Sequence, residues 1–163
     1  MTLRPAVGSD VVQLEALVAA AFGIYRARMD REPAPMAADY RALVSANRVW
    51  VASPDDASQD GASVDGASQD GAILGMIVLV PAADHLYLET IAVRPDAQGA
   101  GVGGSLMELA ETEASRLGLP AVVLCTNEVM TENLAYYPRR GYRPTHRIEQ
   151  NGFRRVFFRK QLA

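Results

Sequence analysis

Four glycines fall within six residues in the run Gln98-Gly99-Ala100-Gly101-Val102-Gly103-Gly104, just after an apolar segment, Leu86–Val93, that reads as a strand. A strand feeding a glycine-rich loop that opens a helix is an anion site. Without a Cβ, backbone amides can approach phosphate oxygens, and the helix N-terminus adds about half a positive charge. The same glycines could serve only close helix–strand packing, but four at one helix start favour a phosphate or pyrophosphate ligand. Gly99, Gly101 and Gly104 formally match the G-x-G-x-x-G pattern of dinucleotide sites. Three features count against that reading. Pro95-Asp96-Ala97-Gln98 separates the strand from the first glycine, Val123-Leu124-Cys125-Thr126 carries no ribose-binding acid, and too little chain follows for a doubly wound sheet. No Gly-Lys-Ser/Thr is present to make a Walker A loop.

Glu89 is the second chemical signal. A carboxylate inside an otherwise apolar strand costs free energy unless it is paired or used. Regular alternation places it on one face with Tyr87, Ile91 and Val93. Cys125, in a short apolar strand, reads as a small buried hydrophobe. The sharper alternative, a Cys-His nucleophile pair with His85 or His146, has no local support. Two histidines and one cysteine give no zinc-ligand spacing, so no metal is expected.

The elements that must position these groups read in the order β-α-α-β-β-β-α-β-α-β-β, an α/β domain with a mixed central sheet. A short strand at Thr2–Pro5 precedes a helix with the apolar stripe Leu14, Leu17, Val18, Ala21 and Phe22, and Asp10 and Gln13 are spaced for a capping box. Beyond the break at Glu32-Pro33-Ala34-Pro35, a short helix at about 37–44 groups Tyr40, Leu43 and Val44. Strands are expected at 48–52, 73–80 and Leu86–Val93. After the glycines, Leu106, Ala110, Ala114 and Leu117 recur at helical spacing until Gly118 and Pro120. A buried strand at 121–126, a short helix at 131–140 interrupted near Pro138, and a hairpin turning at Asn151-Gly152 complete the chain.

One stretch breaks the pattern. Residues 53–72 repeat Asp-Gly-Ala-Ser and Ser-Gln-Asp-Gly-Ala, with Val64 as the only large apolar residue. So little apolar surface cannot offset the cost of ordering, and the stretch reads as a flexible insertion, made by local duplication, at a hairpin tip. Its aspartates lack the spacing of calcium-binding loops.

The remaining bounds come from composition. A chain of 163 residues, 49% apolar and 21% charged, fits one globular domain, 1–163. A net charge of −3 without a long basic run argues against nucleic acid or an anionic membrane as partner. No signal core or membrane-length apolar window is present, so a cytoplasmic protein is expected. Lys160 is the only lysine among 16 basic residues, a bias of GC-rich bacterial coding.

Gln98-Gly99-Ala100-Gly101-Val102-Gly103 fits Q/R-x-x-G-x-G/A, and Ile91-Ala92-Val93 followed by Pro95 precedes it. Together these closely resemble the acetyl-CoA signature of the GNAT family of N-acetyltransferases. Tyr137-Pro138-Arg139-Arg140-Gly141-Tyr142 is similar to the family's later Y-x-x-x-G-F/Y element, and the element order matches along most of the chain. The resemblance implies a GNAT-like acyl-CoA N-acyltransferase fold and transfer of an acetyl group from acetyl-CoA, the co-substrate, to a primary amine.

It also implies roles. Backbone groups of Ile91, Ala92 and Val93, unpaired at a bulge, would align the pantetheine arm and thioester, with an amide near Ile91 polarising the carbonyl. The amides of residues 98–104 (Gln98, Gly99, Ala100, Gly101, Val102, Gly103, Gly104) would hold the pyrophosphate. Asn133 would hydrogen-bond the pantetheine or act as an ordinary helix-start residue. Glu89 would take a proton from the acceptor ammonium, pair with an arginine, or only bind the ammonium. Tyr137 matches the position of the acid that protonates the CoA thiolate, with Tyr136 adjacent to it. A tyrosine pKa of about 10 against about 8.5 for a thiol makes that transfer reasonable.

In this fold the acceptor groove lies between the first two helices, their connection and the last hairpin, so Tyr25, Arg28, Met36, Asp39, Tyr40 and 149–152 are candidates. A small amine or amino-acid-like acceptor stands ahead of a protein N-terminus or lysine. Arg139, Arg140, Arg143, Arg147, Arg154 and Arg155 form either a solvated face or contacts to the CoA 3′-phosphate or an acidic acceptor. The family also makes a homodimer plausible. The other classes are a noncatalytic CoA-binding module and, more remotely, an NAD(P)-binding oxidoreductase.

Overall fold

The computed structural model describes residues 1–55 and 72–163; the repeat expected at 53–72 therefore lies, from 56 to 71, outside the described residues. Four helices, α1 (Val11–Phe22), α2 (Tyr40–Ser45), α3 (Val102–Arg116) and α4 (Thr131–Arg139), accompany seven strands among the described residues. The strands are β1 (Thr2–Pro5), β2 (Val49–Ser53), β3 (Gly75–Pro81), β4 (Leu86–Val93), β5 (Ala121–Asn127), β6 (Arg143–Gln150) and β7 (Phe153–Gln161). They form one mixed sheet in the order β1-β2-β3-β4-β5-β7-β6, and short 3₁₀ turns at Gly23–Arg28 and Ala34–Ala37 fill the α1–α2 connection. The chain order of helices and strands is the one the sequence pattern predicts.

Each face of the sheet has its own core. On one side α3 packs Leu106, Met107, Ala110 and Ala114 against Ile77, Leu86, Leu88, Val122 and Leu124. On the other, α1 and α2 pack Leu14, Leu17, Val18, Tyr40 and Val44 against Val49, Val51, Met76, Val78 and Ala92. α3 sits so close to β3 that a Cβ at Gly75 would lie 2.8 Å from Val102 Cγ1 and 3.1 Å from the Ala92 carbonyl. The final turn has φ of 52° at Asn151 and 77° at Gly152, the paired left-handed geometry that Asn-Gly supplies between antiparallel strands.

Several local expectations change. Asp10 and Gln13 form no capping box. Asp10 is buried and takes two bonds from Arg4, at 2.8 and 3.0 Å, and the Val7 N–H at 2.8 Å, while Gln13 accepts from the Ile73 N–H. A buried carboxylate is better satisfied by a guanidinium fork than by one amide. α2 begins at Tyr40 rather than near 37, because Asp39 accepts the Ala42 N–H and sets its start. Leu117 is 43% exposed at the end of α3 rather than part of its buried stripe. Pro138 does not interrupt α4. It lies in the last turn, where a missing N–H costs one bond, and the Arg140 and Gly141 amides close the turn onto the Tyr137 and Pro138 carbonyls.

The feature that shapes the site is in β4. Val78 pairs with Thr90, but the next residue, Leu79, pairs with Leu88, so Glu89 is a bulged extra residue. The bulge inverts the alternation. Leu86 and Leu88 face α3 before it and Ile91 and Val93 after it, while Ala92 joins the α1 core. Tyr87 therefore does not share a face with Ile91 and Val93. Next to the bulge, β4 pairs with β5 only from Leu86 to Leu88, against Val122 to Leu124, and beyond that point the two parallel strands part.

Candidate active site

The parted strands leave backbone groups without a ladder. Arg94 N–H bonds to Leu74 C=O at 2.8 Å, and alternation then directs the backbone of Ala92 to Met76 on β3 and that of Ile91 and Val93 into the gap. The Val93 carbonyl is met there by Gln98 Nε2 at 3.3 Å. Ala92 is thus committed to the sheet, which corrects the expectation that all three residues offer free backbone; the backbone of Ile91 and the Val93 N–H face the gap, while the Val93 carbonyl is shared with Gln98.

Gly101, at φ +86°, precedes α3, and Gly99 is also left-handed at +83°. The first intrahelical bond of α3 runs from Ser105 N–H to Gly101 C=O at 3.0 Å, so the amides of Val102, Gly103 and Gly104 are the open ones of the helix N-terminus. Gln98, Gly99, Gly101, Gly103 and Gly104 line a groove of about 620 Å³ together with Ile91, Ala92, Val93, Tyr136 and Arg140. Ala100 is exposed outside that lining, and the Val102 side chain is buried under β3. Arg140 reaches over the glycines. It lies 5.0 Å from the Tyr136 ring centroid, and a Cβ at Gly104 would meet its Nη2 at 2.7 Å. Of the six clustered arginines it is the one at the anion loop, whereas Arg147 and Arg154 pair with Glu128.

A second cavity of about 440 Å³ opens between β4, β5, the α1–α2 connection and the β6–β7 hairpin. Glu89, Thr90, Tyr87, Cys125, Gln150 and Arg155 supply part of its polar lining, with Thr126, Asn127, Asn133 and Tyr137, and Phe22, Met29, Pro33, Leu88, Met130 and Phe153 much of the apolar part. The two cavities share Phe22, Ile91, Asn133 and Tyr137. Tyr136 lines only the glycine-side groove.

At that junction Tyr137 is buried, packed against Tyr136, Tyr142 and Phe158. Burial pushes its hydroxyl pKa well above the ordinary tyrosine value, so it holds its proton at neutral pH. The Tyr137 hydroxyl has no hydrogen-bond partner among the described residues, and no buried side-chain polar atom there lacks one. Its oxygen therefore reaches the cavity. Asn133, third residue of α4 rather than its cap, donates Nδ2–H to Thr126 Oγ1 at 3.1 Å, which leaves Oδ1 as an acceptor toward both cavities. Glu89 is exposed in the cavity and makes no ion pair among the described residues, so the arginine-paired alternative does not occur.

Cys125 is not the fully buried residue its strand suggests. Its Sγ lies 3.2 Å from the Tyr87 hydroxyl on the cavity wall. Neither histidine approaches it: His85 bonds Asp84 at 2.7 Å and His146 stacks on Phe157. Of the predicted acceptor residues, Tyr25 lines the glycine-side groove instead and Met36 packs in the α1 core. Asp39 caps α2, and Tyr40 is buried with its O–H bonded to the Pro35 carbonyl at 2.6 Å. Arg28 makes a two-bond bridge to Glu132 at 2.8 and 2.7 Å, tying the α1–α2 connection to α4. That guanidinium holds the Glu132 carboxyl down to about 2. Phe22 and Met130 were not singled out as site residues in the sequence; Tyr87 entered only by its place on the strand beside Glu89, Cys125 as a small buried hydrophobe or a Cys-His nucleophile, and Arg155 within the basic C-terminal run.

Among the described residues no group of three or more metal-ligating side chains is assembled, and no helix is long and apolar enough to cross a membrane.

The sequence profile of the Acetyltransferase (GNAT) family matches residues 23–142, nearly three-quarters of the chain. The chain therefore belongs to the GNAT family of acetyltransferases, acyltransferases that use acetyl-CoA. No curated protein matches it by sequence. Many solved structures share the fold. The PaiA N-acetyltransferase of Thermoplasma acidophilum, solved in complex with coenzyme A, is 14% identical at a TM-score of 0.75, over 99% of this chain and 98% of that one. The NatC complex bound to Gag peptide and CoA gives 16% identity and a TM-score of 0.67, over 99% and 98%. Nourseothricin acetyltransferase is 23% identical at a TM-score of 0.58, over 71% of this chain; the match spans 65% of that enzyme, just under two-thirds.

Proposed function

We propose that this protein transfers an acetyl group directly from acetyl-CoA to the primary amine of a small molecule. The observation that carries the reading is the junction: the glycine-lined groove and the acceptor cavity meet at Ile91, Asn133 and Tyr137, where β4 and β5 part. Open amides at the start of α3, with Arg140 beside them, suit a pyrophosphate, and the pantetheine arm then runs along Ile91 and Val93 toward Asn133 Oδ1.

The chemistry follows from the groups at the junction. Glu89 binds the acceptor ammonium and accepts its proton, directly or through water, to give the neutral amine. The amine nitrogen attacks the thioester carbon, and the carbonyl oxygen gains charge near the Ile91 N–H. The C–S bond then breaks. The departing thiolate takes the proton of the Tyr137 hydroxyl, which burial keeps protonated until that moment. The nitrogen bonded to the acetyl group then loses its second proton, which through solvent returns the tyrosinate to its hydroxyl form, leaving the neutral amide and the CoA thiol. Tyr137 rather than Tyr136 is assigned this role because only Tyr137 faces both cavities.

Isothermal titration with acetyl-CoA, followed by thiol release with a panel of small amines and with peptides bearing free N-termini or lysines, tests the reading. Saturable acetyl-CoA binding with turnover of small amines supports it. Turnover of peptides alone replaces the acceptor class, and absence of acetyl-CoA binding removes the reading altogether.

A further inference from the structure

Among the described residues lining the acceptor cavity, only Glu89 and Arg155 carry formal charges. Neither makes an ion pair with another described residue. Arg155 is half-buried, with Gln150 Oε1 at 3.3 Å as its neutral acceptor and the Phe153 ring 5.3 Å from its guanidinium carbon. A half-buried cation without a carboxylate is costly to hold unless a ligand completes it. The sheet supplied acids elsewhere: Arg147 and Arg154, near it on the same hairpin, both reach Glu128.

The two charges face one space from opposite walls. Glu89 stands at the β4 bulge, and Arg155 lies on β7, paired with Asn127 beyond the point where β5 leaves β4. Two strand spacings put them roughly 10 Å apart at the backbone, more where the strands part. Tyr87, on the wall between them, is influenced by both: burial and its Cys125 contact raise its pKa, Arg155 opposes this and Glu89 adds to it. The rest of the described lining is uncharged, with Met29, Pro33, Leu88 and Phe153 among its apolar residues and Thr90, Thr126, Asn127 and Gln150 among its neutral polar ones.

We infer that the acceptor is a zwitterion, a primary amine carrying an anionic group at the far end of an uncharged spacer, with Glu89 taking the ammonium and Arg155 the anion. The inference rests on the acetyl-transfer reading and deepens it. A guanidinium fork suits a carboxylate or a phosphate equally in geometry, so the anion's identity is read from the substrates themselves.

The test is steady-state acetylation of straight-chain ω-amino acids of increasing length, of the matching ω-aminoalkyl phosphonates, and of the matching neutral ω-amino amides. The parent protein should show kcat/KM at least tenfold higher for one of the anionic series than for the amides, with an optimum at intermediate length. Arg155→Gln should remove that preference by raising KM for the anionic acceptor at least tenfold. It should change kcat/KM for the amides far less than for the anionic acceptor and leave acetyl-CoA affinity unchanged, since Arg155 lies outside the glycine-side groove, and Arg155→Lys should restore part of the preference. Amides accepted as well as both acid series, or an Arg155→Gln protein that keeps the preference, overturn the inference while leaving acetyl transfer intact. Failure of acetyl-CoA to bind the parent protein strikes the underlying reading, and this one with it.

Discussion

Tyr137 is singular among the tyrosines at the junction because its ring is locked by three aromatic neighbours while its oxygen stays unclaimed. On the proposed mechanism such a group serves as a positioned proton donor. Tyr137→Phe should lower kcat by about 10²-fold or more and leave the acetyl-CoA dissociation constant unchanged, measured by titration beside initial rates. A parallel loss of binding would mark it as structural. For Glu89, the bulge places the carboxylate in the cavity with no ion pair among the described residues. On the proposed mechanism Glu89→Gln should lower kcat/KM for the amine acceptor by about 10²-fold and leave the acetyl-CoA dissociation constant unchanged, whereas an unchanged kcat/KM would reduce Glu89 to a steric element.

At the scale of elements, α3 must approach β3 closely for its N-terminus to lie beside the end of β4. Gly75 permits that approach, since any Cβ there meets Val102 and Leu106 at 2.8 and 3.0 Å. Gly75→Ala should cost about 1–3 kcal/mol by overpacking, seen as a lower urea midpoint, and should weaken acetyl-CoA binding because the glycine loop moves with α3. Gly101 tests the loop itself. Its φ of +86° strains any side chain, and a Cβ there would enter open groove rather than protein. Gly101→Val should therefore weaken acetyl-CoA binding by about tenfold or more, at a stability cost of about 1–2 kcal/mol.

For the whole molecule, Asp10 ties β1 to the start of α1. The Arg4 fork is the main influence lowering its pKa, burial opposes this, and the Val7 amide adds to the lowering. A carboxylate whose folded pKa lies below its unfolded value stabilises the fold fully above the unfolded pKa, near 3.8, and loses that contribution as pH falls toward the folded value. Asp10→Asn should lower stability by about 1–3 kcal/mol at pH 7, and the gap between the two proteins should narrow near pH 3, followed by chemical denaturation.

The glycine loop at the start of α3 was legible in the chain itself, because an amide cradle needs only local sequence: glycines, a helix start and a strand before them. The element order and the Asn151-Gly152 turn were legible for the same reason, since periodicity and turn chemistry act over a few residues. The phase of β4 was not. A one-residue bulge inverts every later side chain, and only the pairing of Val78 with Thr90 and Leu79 with Leu88 reveals it. The acceptor cavity was hidden too, because Glu89, Cys125 and Arg155 come from three strands that are neighbours only in the folded sheet. Which arginine faces the cavity and which faces Glu128 depends on long-range register, and that is decided by tertiary structure alone.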